Sequence, residues 1–204
     1  MLPDLASLFL FTLPAVLLAI SIHEFAHGAM ADHLGDPTPR FQGRLTLNPL
    51  AHLDPVGALM LVLFRFGWAR PVMVNPRNFV DPRRGMFLVA LAGPAANLVM
   101  AYFFAALASF LPGFFPLTTG RLLFEFFMTN ILLNLWLAAF NLLPIPPLDG
   151  AKILQGLLPG RQAYALAQWE PYGPLLLIFL IMSGMVPRLL QPIFRVLAWG
   201  LRFF

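Results

Sequence analysis

Residues 5–31 read LASLFLFTLPAVLLAISIHEFAHGAMA. From Leu5 to Ile22 the stretch is apolar, broken only by Ser7, Thr12, Pro14 and Ser21. A helical pattern then continues through His23, Glu24 and His27 to Ala31. As a helix, at 1.5 Å per residue, the stretch is about 40 Å long, enough to cross a bilayer with some tilt. The three ionisable residues then fall roughly 6–12 Å inside one end. No Lys or Arg precedes the run and no small-residue cleavage site follows it, which argues for a spanning helix over a signal peptide.

The composition agrees. Of 204 residues, 59% are hydrophobic and 11% charged, against about 25% charged in ordinary soluble domains. A disordered chain is excluded and a soluble globule disfavoured. The net charge of +4 does not point to nucleic acid, because a basic excess in so apolar a chain belongs in cytoplasmic loops. Seven of the 13 basic residues lie in the segment 32–84 (Arg40, Arg44, Arg65, Arg70, Arg77, Arg83 and Arg84). The positive-inside rule places that segment in the cytoplasm. The chain has no Cys, so any metal must be held by His, Asp or Glu.

Further spans follow. Gly85 to Leu111 has no charge, and Pro112, Gly113 and Pro116 mark a turn after it. Leu122 to Leu143 is a third span, ended by Pro144, Pro146 and Pro147, since proline lacks the amide donor and clashes with the preceding turn. Tyr172 to Val186 is a short fourth apolar stretch. In 187–204, Arg188, Arg195 and Arg202 recur every seven residues on one face, which favours an interfacial amphipathic helix. Within 32–84, the alternation of Phe41–Leu47 and of Arg70–Val74 predicts short β-strands. Ala58 to Phe64 is too short to span and is expected to dip into the membrane or lie on it. The expected fold is a single all-α polytopic membrane domain over 1–204. Its parts are a first span at 5–31, a cytoplasmic loop at 32–84, spans at 85–111 and 122–143, a segment at 144–158, and C-terminal hydrophobic segments at 172–204. Three core transmembrane helices carry one or two C-terminal hydrophobic helices, with short strands in the loop.

His23 and His27 stand at i and i+4, on one helix face, where both imidazoles can bind one metal ion. Glu24 adjoins the first and can serve as general base on an activated water. Three ionisable groups inside a span are costly without a function. Two His leave a catalytic zinc one protein ligand short. His33, His52, Asp32, Asp36, Asp54, Asp81, Asp149 and Glu125 are the candidates. Glu125 lies near the outer end of its span, and Arg121, four residues before it, explains it as an i,i+4 pair. Asp149 fits best, because it follows a proline-broken span at the same membrane level as His23 and His27. Gly150 is expected to leave its surroundings open.

His23-Glu24-Phe25-Ala26-His27, taken with the run from Asn141 to Gly150 (NLLPIPPLDG), resembles the site-2 protease family of intramembrane zinc metalloproteases. Ala92-Gly93-Pro94-Ala95-Ala96-Asn97 resembles a further family element, and Gly43 to Pro55 resembles the small bacterial members. The similarity covers about residues 15–155. It implies one Zn2+ per chain on His23, His27 and Asp149, with Glu24 as catalytic acid and base. It also implies hydrolysis of peptide bonds within or beside membrane helices of a protein substrate, in a bacterial inner membrane with the active site toward the cytoplasm. Larger members carry an inserted PDZ domain and a span before the His-Glu helix. Neither is expected here, which puts the N-terminus outside.

Asn141 matches the family motif and is expected to bind the substrate backbone or the oxyanion. Asn130 and Asn134 share its helix face, and Asn97 lies in the neighbouring span. Interhelical hydrogen bonding is the simpler reading of Asn97, Asn130 and Asn134, with Asn97 also a candidate partner of the site. His52 and Asp54 are candidates for the mouth of the site or for orienting a ligand, beside a plain turn with Pro55. His33 is off the ligand face and reads as interfacial. The strand-like stretches offer an edge that could capture an unwound substrate by β-augmentation. Two other functions are consistent with the ligands. A metal transporter would be expected to show an internal repeat, and none is evident. A silent membrane adaptor would not need Glu24 and Asp149 intact. The sequence does not indicate an oligomeric state.

Overall fold

The computed structural model describes residues 7–57, 60 and 70–203. Helix α1 (Leu13–His33) follows a π-helical turn at Leu8–Thr12. Its end is set by Gly35, whose φ of 102° only glycine adopts freely. There the Gly35 N–H donates to the Asp32 carbonyl at 3.1 Å and the Asp36 N–H to the Ala31 carbonyl at 2.9 Å, closing a Schellman motif. Helix α2 (Pro82–Phe110) is started by the Asp81 carboxylate, which accepts from the Arg83 and Arg84 N–H groups, with Pro82 in the first turn. Helix α3 (Leu117–Asn141) stops short of Pro144. Then come α4 (Asp149–Leu157), α5 (Gly160–Ala167), α6 (Gly173–Met182) and α7 (Val186–Leu197).

Among the described residues, four helical stretches are long and apolar enough to cross a membrane: Leu8–His33, Pro82–Phe114, Leu117–Asn141 and Gly160–Met182. The last is interrupted between α5 and α6 by a 3-10 turn at Glu170–Tyr172. Helix α2 is central, packed by α1, α3 and α4. Its Ala101, Phe104 and Ala105 meet Phe127, Ile131 and Leu135 of α3 in the main core. Ala15, Ala19 and Ala31 of α1 are buried. Small residues at such contacts let helix backbones approach closely where lipid offers no hydrophobic drive. Part of the apolar side of α7 packs on the bundle. Leu190 packs with Ala139, Leu143 and Leu148. Phe194 stacks on Trp136 with ring centroids 4.4 Å apart. Tyr102 of α2 donates to the Leu197 carbonyl at 2.9 Å. Arg188 and Arg195 face outward, exposed.

The expected β-strands are not formed, and among the described residues there is no sheet. In Phe41–Leu47 the backbone is spent on local turns. Gln42 N–H donates to Thr38 O at 3.1 Å, Arg44 N–H donates to Pro39 O at 2.9 Å, and Gly43 has φ 66°. In Arg70–Val74 the donors go elsewhere: Arg70 N–H to His52 O at 2.8 Å, and Val72 N–H to the Glu24 carboxylate at 3.0 Å. The alternating apolar residues pack instead on α1, where a Cβ on Gly28 would touch Leu45 and Val72. Neither stretch is therefore a formed strand of the kind expected to capture substrate. The reading of Ala58–Phe64 as a membrane dip lies outside the described residues, apart from Met60.

Asp36 pins the 70–78 segment to the end of α1. It is fully buried and accepts from the Thr38 hydroxyl (2.5 Å) and N–H (3.1 Å), the Asn75 N–H (2.7 Å) and the Asn78 amide (2.7 Å). Burial alone opposes its ionisation, but these donors outweigh that and hold its carboxyl below the usual carboxylate value.

Candidate metal centre and catalytic cavity

His23 and His27 project from one face of α1 toward α2, and both are buried. Asp149, in the first turn of α4, reaches the same point. Its Oδ2 lies 3.2 Å from Nε2 of His23 and 3.2 Å from Nε2 of His27, while the two Nε2 atoms are 3.0 Å apart. The three residues that meet here come from segments more than 120 positions apart. The proline-rich turn after α3 returns the chain into the bundle. Gly150 does not open space around Asp149, as its position had suggested. It is buried, and a Cβ there would sit 2.3 Å from the Leu143 carbonyl and 2.4 Å from that of Leu142. Only glycine lets α4 start so close to the end of α3.

The hydrogen bonds behind the imidazoles decide what this triangle can hold. His27 Nδ1 lies 2.7 Å from the Val89 carbonyl, which can only accept, so Nδ1 is the donor. His23 Nδ1 lies 2.6 Å from Asn97 Oδ1. The amide of Asn97 is oriented by its own nitrogen, which donates to Ala19 O at 3.1 Å and to Asn134 Oδ1 at 2.8 Å. His23 Nδ1 is therefore also a donor. A neutral imidazole has one N–H, so both Nε2 atoms present lone pairs to each other and to Asp149. Asp149 Oδ2 is buried without a hydrogen-bond donor. Three lone-pair atoms this close repel one another unless a cation lies among them. Zinc ligands at about 2.0–2.1 Å in tetrahedral array are about 3.3 Å apart, close to the separations observed. Two nitrogens and one carboxylate oxygen also form a donor set that zinc accepts, with a fourth position open. These residues fit the metal.

Gly93 of α2 makes the arrangement sterically possible. A Cβ there would lie 2.4 Å from His27 Nε2 and 2.7 Å from His23 Cε1. Gly93 and Asn97 belong to one face of α2, the first giving the rings room and the second orienting one of them.

A cavity of about 400 Å³ opens on the triangle. Glu24, Asn141, Met86, Val72, Met73 and Lys152 are among the residues lining it. Glu24 is held by the Val72 N–H on Oε2. Asn141 donates one amide hydrogen to Leu137 O at 3.0 Å. Asn97 bonds both His23 and Asn134, whereas Asn130 donates within its own helix to Phe126 O. His52 and Asp54 are not brought to the cavity. The His52 ring bonds Thr46 O at 2.8 Å, and Asp54 accepts from Gly57 N–H at 2.8 Å in a turn. Glu125 pairs with Arg121 at 3.0 Å. Two groups at the cavity were missed from sequence. Lys152 stands three residues after Asp149, a helical spacing that could have flagged it. The Val72 backbone carries no sequence signal.

Fold and site together define a multi-pass membrane protein with a His–His–carboxylate cluster able to hold a metal and an adjacent glutamate. The profile of Peptidase family M50 matches residues 117–180. A Bacillus subtilis protein designated a zinc metalloprotease, YwhC, is 41% identical over 182 residues, 87% of this chain and 82% of its own length. The Rip2 proteins of Mycolicibacterium smegmatis and Mycobacterium tuberculosis, with the same designation, are 30% and 32% identical over 202 residues, covering 96% and 95% of this chain and 74% of their own lengths. No solved structure matches the chain. The chain belongs to peptidase family M50, the site-2 protease family, and is an intramembrane metalloprotease whose cofactor is zinc.

Proposed function

We propose that His23, His27 and Asp149 hold the zinc, that Glu24 is the catalytic base and acid, and that Asn141 contacts the reacting carbonyl. The observation that carries this reading is the convergence of three ligand atoms at 3.0–3.2 Å, with each imidazole hydrogen-bonded from behind through Nδ1. Zinc bound there supplies a Lewis acid for the scissile carbonyl and lowers the pKa of water to about 7. Glu24 takes the proton of the attacking water on its free carboxylate oxygen, because the other is held by Val72. It then returns the proton to the leaving amine. The second amide hydrogen of Asn141 donates to the carbonyl oxygen as negative charge develops. The Val89 carbonyl and Asn97 keep the two imidazoles aimed through these steps.

The substrates are membrane-spanning segments of other proteins, unwound where they meet the cavity, because a helix hides its peptide bonds in its own hydrogen bonds. The excess of Arg in 32–84 puts the cavity toward the cytoplasm, in the cell's inner membrane. The test is zinc content and cleavage of single-span peptides in detergent. Wild type should hold about one zinc per chain and cleave. Glu24→Gln should hold zinc and not cleave, and Asp149→Ala should lose both. Full zinc in Asp149→Ala, or cleavage by Glu24→Gln, would overturn the assignment.

A further inference from the structure

Behind the wall of the catalytic cavity lies a second groove, of about 630 Å³. Pro71 and Met73 line both, so the 70–74 segment is a partition between them. The far side carries two guanidinium groups, Arg44 and Arg70, and among the described residues no carboxylate lines it. Arg44 is only 7% exposed. It donates through Nη1 to the Ala51 carbonyl, and its fork has no ion pair among the described residues. The Arg70 backbone is anchored on His52 O at 2.8 Å, while its side chain is exposed and makes no ion pair among the described residues.

What sets this groove apart is that two guanidinium groups share one recess with no carboxylate in its lining among the described residues. Arg40 is paired with Asp32 at 2.6 Å, and Arg121 with Glu125 at 3.0 Å. The sequence has no acidic residue between Asp54 and Asp81, and both Asp36 and Asp54 are occupied by nearby donors. The guanidinium nitrogens that face the groove are open to an anion entering it, with no carboxylate of the lining to compete. Planar forks of this kind favour a carboxylate, which they can bind bidentately.

We propose that this groove is a specificity subsite for the side-chain carboxylate of an Asp or Glu in the substrate, close to the scissile bond. It rests on the reading of Glu24 as catalytic. The distance along the chain sets the position. Val72 holds Glu24, and Arg70 is two residues away, roughly 7 Å of extended chain at about 3.3 Å per residue. A substrate laid along the partition brings a residue two or three positions from the cleaved bond opposite Arg70. The shared wall and the recess of Arg44 favour a peptide side chain over a lipid headgroup, which would approach from the membrane plane.

The experiment uses the full chain, zinc-loaded and carrying Glu24→Gln, in nanodiscs of phosphatidylcholine. Labelled single-span peptides carry one Glu walked through successive juxtamembrane positions, with Gln and Lys counterparts. At one position the Glu peptide should bind about tenfold tighter than its Gln counterpart, as expected for a charge-assisted pair. Arg70→Gln should remove most of that preference, and Arg70→Glu should transfer it to the Lys peptide. Arg44→Lys should weaken it with zinc content unchanged, which separates loss of the fork from loss of the fold. Equal binding of Glu and Gln peptides at every position, including no binding, overturns the proposal. So does a preference untouched by Arg70→Glu, or one that arises only when phosphatidylglycerol is added. Cleavage by the chain with Glu24 intact is read separately. Charge-dependent binding without cleavage refutes the catalytic reading and leaves the subsite, whereas cleavage indifferent to charge does the reverse.

Discussion

Replacing Gly93 by Ala sets local stability against metal binding. In the interior of a helix Ala is favoured over Gly by about 0.8–1 kcal/mol, so by propensity alone α2 gains. The added Cβ, however, would stand 2.4 Å from His27 Nε2, 2.5 Å from His27 Cε1 and 2.7 Å from His23 Cε1. Ordinary contact between such atoms is about 3.5–4.0 Å, so both rings must retreat by about 1 Å. His27 is tied from behind to Val89 O at 2.7 Å and His23 to Asn97 at 2.6 Å, so neither ring retreats freely. A zinc site tolerates errors of about 0.2 Å in ligand distance. Loss of a ligand-orienting hydrogen bond alone costs about 10–100-fold in affinity. Gly93→Ala should therefore weaken zinc by about 100-fold or more, while the metal-free protein still folds and loses only the overpacking cost of about 1–3 kcal/mol less the helix-propensity gain. Competition with a fluorescent chelator gives the affinity, and circular dichroism of the metal-free protein gives the melting. Zinc affinity within about threefold of wild type would refute the steric reasoning, on the same scale of effects.

Asn97→Ala frees the His23 ring to turn and should lower zinc affinity about 10–100-fold, read by the same competition. Asn141→Ala should lower kcat about 100–1,000-fold with zinc content unchanged, as for loss of one oxyanion donor, checked on a cleaved single-span peptide. Asp36→Asn should lower Tm at pH 7. The Asp36 carboxyl is held below its ordinary value of 3.8, so its contribution is complete above that pH and is lost as pH falls through the lowered folded value. The Tm gap to wild type should therefore narrow with acid below about pH 4, and a constant gap would count against the ionised staple.

Much of the site was legible in one dimension because helix periodicity is local. The i,i+4 spacing puts His23 and His27 on one face whatever surrounds them, and the apolar run before them sets their depth. The proline-broken end of the third span, with Asp149 beyond it, marked where a carboxylate returns to the two imidazoles. The strands at Phe41–Leu47 and Arg70–Val74 were misread because alternation reports which side chains are apolar, not where backbone donors go. Those donors went to local turns, to His52 and to Glu24. His52 and Asp54 have residue types suited to a metal site, but local bonds to Thr46 and Gly57 hold them in the loop.

By itself the sequence determined the membrane class, the helical spans, the histidine pair with its glutamate, and the carboxylate that returns after α3. All of these follow from hydropathy and from spacings within one helix or turn. Only the tertiary structure decided how the histidines are aimed and what stands over the glutamate. His23 is oriented by a residue 74 positions away, His27 by one 62 away, and Glu24 is held by a backbone N–H 48 away. The arginine groove likewise exists only where the 70–74 segment is pinned between Glu24 and Asp36. Such pairings depend on how closely α1 and α2 approach, and that distance is set by glycine and alanine at the contact, whose effect lies in the space they leave.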